Sequence, residues 1–256
     1  MFASQLGGAA TPLVAAYDAA VADAKLRGQF PVGVFAEAAR TIDLAMLETW
    51  RAGVGLMTAG SATRFGFGRA SSDGAQLRPA LTLELSGGRT LRITGQTELL
   101  LVQGGDVTSI VTLVGELANK SKYHLRGAFD HLVLAAAGMT PGRFTHKLID
   151  PDGNVCEVEH TPWTTADARG YLTALATELL DGTHGYLLPF EAIVKALGGG
   201  KPNVKYSERA NHLGFGPIER QDGLDLPADA VAIARRRLLP LVERMRGNEH
   251  GFEVAT

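Results

Sequence analysis

Three residues with metal-binding side chains lie close together in the middle of the chain: His146, Cys156 and His160. A closed zinc site needs four such ligands, usually arranged as two closely spaced pairs. Cys156 is the single cysteine of the sequence, so no Cys-x-x-Cys pair is possible. We therefore interpret the three residues as a buried thiol and two structural histidines, and we predict no metal site and no cofactor.

A second chemistry that this part of the sequence could carry is magnesium-dependent cleavage of phosphodiesters. That reaction needs carboxylates on a rigid sheet to hold the ion, with a lysine near the attacking water. The candidate carboxylates are Glu98, Asp106 and Glu116. No lysine stands two residues after an acid on the predicted strand, because Lys120 and Lys122 fall in the following helix. We therefore predict no catalytic residue and treat the three acids as vestigial candidates.

Basic residues that could contact DNA occur in two short stretches. Lys201, Lys205 and Tyr206 form a basic and aromatic loop, and Arg235 and Arg236 lie on a predicted helix, where Glu243 is expected to balance them. A solvated helix face is the favoured interpretation of such a run, so these five residues are weak DNA-binding candidates. The sequence contains neither a Walker phosphate loop nor a Gly-x-Ser-x-Gly nucleophile motif.

Composition limits the class of protein. The 256 residues are 45% hydrophobic and 20% charged, which is typical of a globular chain and long enough for a sizeable core. The net charge of −2 lacks the basic excess of a free-standing nucleic-acid binder. A single cysteine fits a reducing compartment, and we find neither a secretory signal nor an apolar run of about 20 residues. We expect a cytoplasmic protein.

The elements that must position these residues change in type along the chain. Residues 1–55 predict two helices joined by Gly28-Gln29-Phe30-Pro31-Val32-Gly33. One face of the second helix is lined by Phe35, Ala39, Ile42, Met46 and Trp50. Residues 80–160 predict an antiparallel meander, a helix from about Leu117 to Ala137, and the hairpin Phe144–Ile149 and Val155–His160.

The last third, residues 164–256, is predicted to be mostly helical, with helices at Ala166–Leu180, Phe190–Leu197 and Ala228–Arg246. Pro240 should kink or split the last of these. The order of elements indicates one α+β domain over residues 1–256, with a sheet flanked by helices.

Four sequence blocks resemble, in the same order, the C-terminal domain of the RecC family, the gamma chain of exodeoxyribonuclease V. The helicase-like region that precedes that domain in the family has no counterpart here. The four blocks are Gly28-Gln29-Phe30-Pro31-Val32-Gly33-Val34-Phe35, Leu91-Arg92-Ile93-Thr94-Gly95, Leu125-Arg126-Gly127-Ala128-Phe129-Asp130-His131-Leu132, and Tyr171-Leu172 with Gly185-Tyr186-Leu187-Leu188-Pro189-Phe190.

The resemblance implies a restriction-endonuclease-like PD-(D/E)xK fold that has lost its catalytic residues. It implies a structural role in a RecBCD-type helicase–nuclease for double-strand-break repair. The chain would bind RecB-like and RecD-like subunits and help to separate or guide DNA strands. Glu98 stands where an active relative carries its metal-binding aspartate, so the alternative is an active Mg²⁺-dependent exonuclease of the same fold. A third possibility is an unrelated small-molecule enzyme.

Overall fold

The protein is an α+β fold of mixed sheets and helices. The computed structural model describes residues 13–54, 61–69, 75–115, 117, 120–180, 194, 197–199 and 229–255. The helices are α1 (Leu13–Leu26), α2 (Val34–Val54), α3 (Lys120–Ala136), α4 (Thr165–Leu180) and α5 (Ala230–Val242). The strands are β1 (Ser61–Thr63), β2 (Phe65–Phe67), β3 (Gln76–Arg78), β4 (Leu81–Glu84), β5 (Thr90–Ile93), β6 (Gly95–Gln96), β7 (Leu99–Gln103), β8 (Asp106–Thr112), β9 (Phe144–Ile149) and β10 (Val155–His160).

The main sheet has the strand order β1-β7-β8-β9-β10. Strands β1, β7 and β8 pair antiparallel, whereas β8 and β9 pair parallel because the chain crosses over through α3 between them. Strands β9 and β10 form an antiparallel hairpin with the predicted bounds, so that prediction is confirmed. The hairpin turn is closed by Asp150, whose carboxylate accepts hydrogen bonds from the backbone and side chain of Asn154, both at 2.8 Å.

The predicted continuous meander is wrong. Strands β4 and β5 form a separate two-stranded sheet, and β2 lies between β3 and β6 in a sheet of three strands. Strand β7 pairs with β8 along one edge and with β1 along the other, where Ala62 lies opposite Leu101. The turn signals Gly87-Gly88 and Gly104-Gly105-Asp106 mark the hairpins β4–β5 and β7–β8 correctly. Gly95-Gln96, a third predicted hairpin turn, instead forms β6 and pairs with β2.

The largest core cluster joins α3, α4 and α5 to the sheets, with Leu83, Leu132, Val158, Leu172 and Leu241 among its buried members. Helix α5 includes Pro240 and ends at Val242, so the proline falls in its last turn. The predicted helix Phe190–Leu197 lies largely outside the described residues. Within the part of the chain that is described, no helix combines the length and apolar character needed to cross a membrane.

Helices α1 and α2 pack as a hairpin with a small core of their own. Leu13, Tyr17 and Leu47 are buried there, and Tyr17 Oη donates a hydrogen bond of 2.7 Å to Asp43. The apolar face of α2 is only partly buried, because Phe35 is 74% exposed and Ile42 is 66% exposed. The face that packs is centred on Leu47, with Trp50 partly buried beside it.

Phe30, in the turn between these helices, packs against that small core, while Val32 in the same turn is 75% exposed. We expect Phe30→Ala to lower the free energy of unfolding by about 2 kcal/mol. This loss is smaller than the one expected for a fully buried phenylalanine, because the side chain of Phe30 is only partly buried. Thermal denaturation measures the change, with Val32→Ala as the matched control that should leave the melting temperature unchanged. Unaltered stability of Phe30→Ala together with lost binding to a partner would instead indicate a docking role.

Candidate functional site

Glu98 precedes β7 and is held by a side chain of the helix above it. Its carboxylate forms an ion pair with the guanidinium of Arg126 on α3. About a quarter of the Glu98 side chain remains exposed, against half of Arg126. A carboxylate and a guanidinium at the edge of a protein attract each other more strongly than they would in bulk water. The one acid at the expected nuclease position is therefore neutralised from within the chain.

Asp130 lies behind this pair, on the buried side of α3, and sequence reasoning missed it. Its carboxylate accepts a hydrogen bond of 2.7 Å from Ser109 Oγ on β8. Both carboxylate oxygens lie 3.3 Å from the backbone nitrogen of Glu98. Burial, with the nearby charge of Glu98, raises the pKa of Asp130 to about 7, against the opposing effect of the hydrogen bond from Ser109. Asp130 thus ties α3 to β7 and β8.

Of the two other acids of the predicted site, only Asp106 falls in the described part of the chain, and it does not converge on Glu98. Asp106 begins β8 and is paired with Gln103, at the far end of β7 from Glu98. Five residues of strand separate those ends, roughly 17 Å at 3.3–3.4 Å per residue. Glu116 lies outside the described residues. Lys120 Nζ is 3.0 Å from Glu249 Oε2, so it is engaged near the C-terminus and does not pair with Glu98.

A cluster of buried histidines lies under α3, against the β9–β10 hairpin. His124 and His131 come from the helix, His146 from β9 and His160 from β10, and all four are at most 2% exposed. The strand register places Phe144 opposite His160 and Leu148 opposite Cys156, which puts the thiol on the same face. Sequence reasoning paired His146 with Cys156 and His160 but missed the two helix histidines, which only the crossover through α3 brings onto this face.

The hydrogen bonds of this cluster define where its protons are. Cys156 Sγ is 3.3 Å from the backbone oxygen of Glu249, which can only accept, so the thiol proton points there. His124 Nε2 then donates to Sγ across 3.4 Å, and its Nδ1 accepts from His146 Nδ1 at 2.9 Å. His146 Nε2 is left as a bare acceptor, buried and with no hydrogen-bond partner among the described residues.

Burial keeps these histidines neutral. It lowers the pKa of His124 and of His131 to about 4 and that of His160 to about 3, and it holds the pKa of His146 well below its usual range. Burial also raises the pKa of the Cys156 thiol. The thiol is therefore protonated at neutral pH, which disfavours nucleophilic chemistry.

The cluster does not have the geometry of a metal centre. His124 turns one ring nitrogen to His146 and the other to Cys156, so these three cannot meet at a single ion. His160 contacts His131 instead, with ring centroids 5.6 Å apart. In the described ranges, no group of three or more possible ligands could hold a metal ion. The cluster is best described as a polar core that fixes α3 on the hairpin.

The predicted DNA-binding arginines have partners within the chain. Arg236 donates to both carboxylate oxygens of Glu178, at 2.7 and 3.3 Å, and Arg237 shares that carboxylate. Arg235 donates to the backbone oxygen of Ala255 at 3.2 Å. The acid that balances this run is therefore Glu178 of α4, not Glu243 as the sequence suggested. Lys201, Lys205 and Tyr206 lie outside the described residues.

Comparison of the sequence with protein-family models and with curated proteins gives no match. The relationship to the RecC family therefore stays a prediction.

Proposed function

We propose that the chain is a non-catalytic structural module of a multi-subunit helicase–nuclease of the exodeoxyribonuclease V type, with a role in double-strand-break repair. In that assembly it binds RecB-like and RecD-like subunits and helps to guide the separated DNA strands. The observation that carries the proposal is the ion pair between Glu98 and Arg126. An arginine of the chain itself stands where an active enzyme would need a hydrated magnesium ion.

The order of elements in the main sheet supports the nuclease-like part of the proposal. After helix α2, the main sheet takes three antiparallel strands, β1, β7 and β8, with β2 to β6 inserted between β1 and β7. The crossover helix α3 and the parallel strand β9 follow. A mixed sheet of this kind, flanked by helices, agrees with the fold that the resemblance implies. Glu98 and Arg126 lie at one edge of it, where β7 begins beneath α3.

The position of the other acids supports the non-catalytic part. One carboxylate is a poor cage for Mg²⁺, which needs near-octahedral oxygen coordination. Asp106 is too far along the strand pair to complete a site with Glu98. Asp130 is closer, but its oxygens already accept hydrogen bonds from Ser109 and from the backbone of Glu98. A divalent ion would have to displace Arg126 and break these contacts.

We expect the purified chain to cleave linear DNA in the presence of Mg²⁺ no faster than its Glu98→Ala variant does. An exonuclease assay with end-labelled duplex and single-stranded substrates, with and without chelator, measures this. Asp106→Ala serves as the second variant, because it removes an acid that lies away from Glu98. Robust cleavage that Glu98→Ala abolishes and Asp106→Ala preserves would establish the alternative, an active nuclease that uses Mg²⁺.

Binding to partner subunits tests the structural role directly. Co-expression with RecB-like and RecD-like subunits should give a complex that survives affinity purification and gel filtration. A chain that elutes alone under these conditions, and that turns over a small molecule, would contradict the proposal.

A further inference from the structure

The segment between β1 and β7 carries a charge opposite to that of the rest of the chain. Residues 64–98 contain five arginines and three acids, Asp73, Glu84 and Glu98, whereas the full sequence has 27 acids against 25 basic residues. The segment forms the two small sheets, β3-β2-β6 and β4-β5, outside the main sheet. The positive charge is therefore concentrated on one peripheral part of the fold.

The backbone segments that carry three of these arginines approach one another at Gly68. The backbone nitrogen of Gly68 donates to the backbone oxygen of Arg78 at 2.8 Å. A Cβ atom added at Gly68 would lie 3.0 Å from Thr94 Cγ2, so β5 reaches the same point. Arg69 follows Gly68 directly, and Arg92 is two residues before Thr94 on the same face of an extended chain. We call Arg69, Arg78 and Arg92 the arginine face.

The side chains of the arginine face are exposed, and within the described residues none of the three forms an ion pair. The contrast with other arginines is clear. Arg40 pairs with Asp18, and both Arg143 and Arg246 pair with Glu159. On the arginine face the guanidinium of Arg78 lies 5.2 Å from the ring centroid of Phe65, an attractive contact that leaves its charge in place.

The surroundings of these arginines fit a phosphate backbone. Exposed threonine and glutamine side chains, which are neutral hydrogen-bond donors, stand beside them at Gln76, Thr82, Thr90, Thr94 and Gln96. One exposed acid, Glu84, lies opposite Thr90 on the face that carries Arg92. Such side chains and arginines make most protein contacts to phosphates and sugars. The planar fork of a guanidinium matches two oxygens of one phosphate. An acidic protein partner would instead be expected to meet exposed aromatic residues as well.

We infer that the arginine face binds the phosphate backbone of a nucleic-acid strand without reading its sequence. The DNA-binding surface then differs from the one that the sequence suggested at Arg235 and Arg236. The role of guiding a separated strand rests on the proposed function, whereas the binding itself can be measured on the isolated chain.

The test is fluorescence anisotropy with a labelled oligothymidylate and a labelled duplex, titrated between about 50 and 200 mM salt. The variant R69Q/R78Q/R92Q removes the arginine face. If each arginine neutralises one phosphate, the salt slope should fall by about 2 and affinity for the single strand by roughly 100-fold at ~0.1 M salt. The matched control, R27Q/R40Q/R51Q, removes the same charge from α2 and from the turn that follows α1, and it should change affinity by no more than about threefold.

Three results would overturn the inference: no salt-dependent binding by the wild type, equal loss in both triple variants, or binding of polyglutamate as tight as that of DNA. The last would identify an acidic protein as the partner. Melting curves of the variants separate lost binding from lost folding. Co-purification with partner subunits should survive in R69Q/R78Q/R92Q. If the wild type binds DNA but does not co-purify with partner subunits, the proposed function is contradicted, whereas the inference about the arginine face still stands.

Discussion

Acidification from about pH 7 to about pH 4 should unfold the protein cooperatively. Four buried histidines, His124, His131, His146 and His160, have pKa values depressed below the ordinary value of 6.5 in the folded state. Their contribution to stability is fully present above pH 6.5. This contribution is lost as the pH falls towards about 4, because the histidines bind protons in the unfolded state at pH values where they stay neutral in the folded state.

Asp130 acts in the opposite direction. Its pKa is raised to about 7 from 3.8, so between these values the folded state binds a proton that the unfolded state does not. That uptake stabilises the fold as the pH falls. The four histidines of the cluster against one carboxyl leave a net difference of about three protons, and each proton changes the unfolding free energy by about 1.4 kcal/mol per pH unit. His250, whose pKa is also lowered by burial, acts in the same direction as the cluster. The histidines therefore dominate, with a slope of about 4 kcal/mol per pH unit.

Circular dichroism and tryptophan fluorescence across a pH series measure this transition. For a domain with a typical stability of about 5–15 kcal/mol, the midpoint should fall near pH 5 or somewhat below. His131→Phe is the informative variant, because His131 stacks on Phe144 at 4.5 Å and its Nδ1 has no hydrogen-bond partner in the described part of the chain. The slope of the unfolding free energy against pH should become smaller by the contribution of one proton, about 1.4 kcal/mol per pH unit. Stability that stays constant down to pH 4, or an unchanged slope in His131→Phe, would contradict the account of the cluster.

Replacing Gly127 by alanine should strongly destabilise the packing of α3 on the sheet. A Cβ atom there would lie 2.2 Å from both Cγ and Cδ2 of His146 and 2.6 Å from its Cβ. His146 is fully buried, and its Nδ1 is hydrogen-bonded to His124, so the ring cannot move aside. Alanine favours a helix over glycine by about 1 kcal/mol, but overpacking of this kind costs more. We expect a net loss of about 3 kcal/mol of stability.

Chemical denaturation of Gly127→Ala measures that loss, and Gly170→Ala on α4 is the matched control. No described residue has an atom within 4 Å of a Cβ added at Gly170, so the same substitution there should stabilise the protein by up to about 1 kcal/mol. In a double variant, His146→Ala should recover part of the loss, because it removes the ring that clashes. Equal stability of Gly127→Ala and Gly170→Ala would show that α3 can move away from the sheet.

Part of the candidate site could be predicted from the sequence. Glu98 was identified as the acid at the start of a strand, and that strand forms as β7. Its partner Arg126 was not identified, because an arginine in a helix has no pattern that reveals which strand it faces. Gly127 did offer a signal: an isolated glycine within an apolar helix pattern often marks a close approach of backbone to a neighbour. Asp130 offered a weaker one, a carboxyl next to the apolar positions of that helix.

The sequence by itself determined the elements that depend on neighbouring residues. Helix periodicity located α3 and α4, and the turn Asp150-Pro151-Asp152-Gly153-Asn154 determined the β9–β10 hairpin, because these structures are stabilised by contacts over a few residues. Only the tertiary structure decided what depends on distant segments. It placed β1 beside β7, gathered four histidines and one thiol beneath α3, and left Phe35 exposed. Those outcomes depend on which faces of the helices and sheets pack against each other. That packing involves segments far apart in the sequence, so no local pattern reveals it.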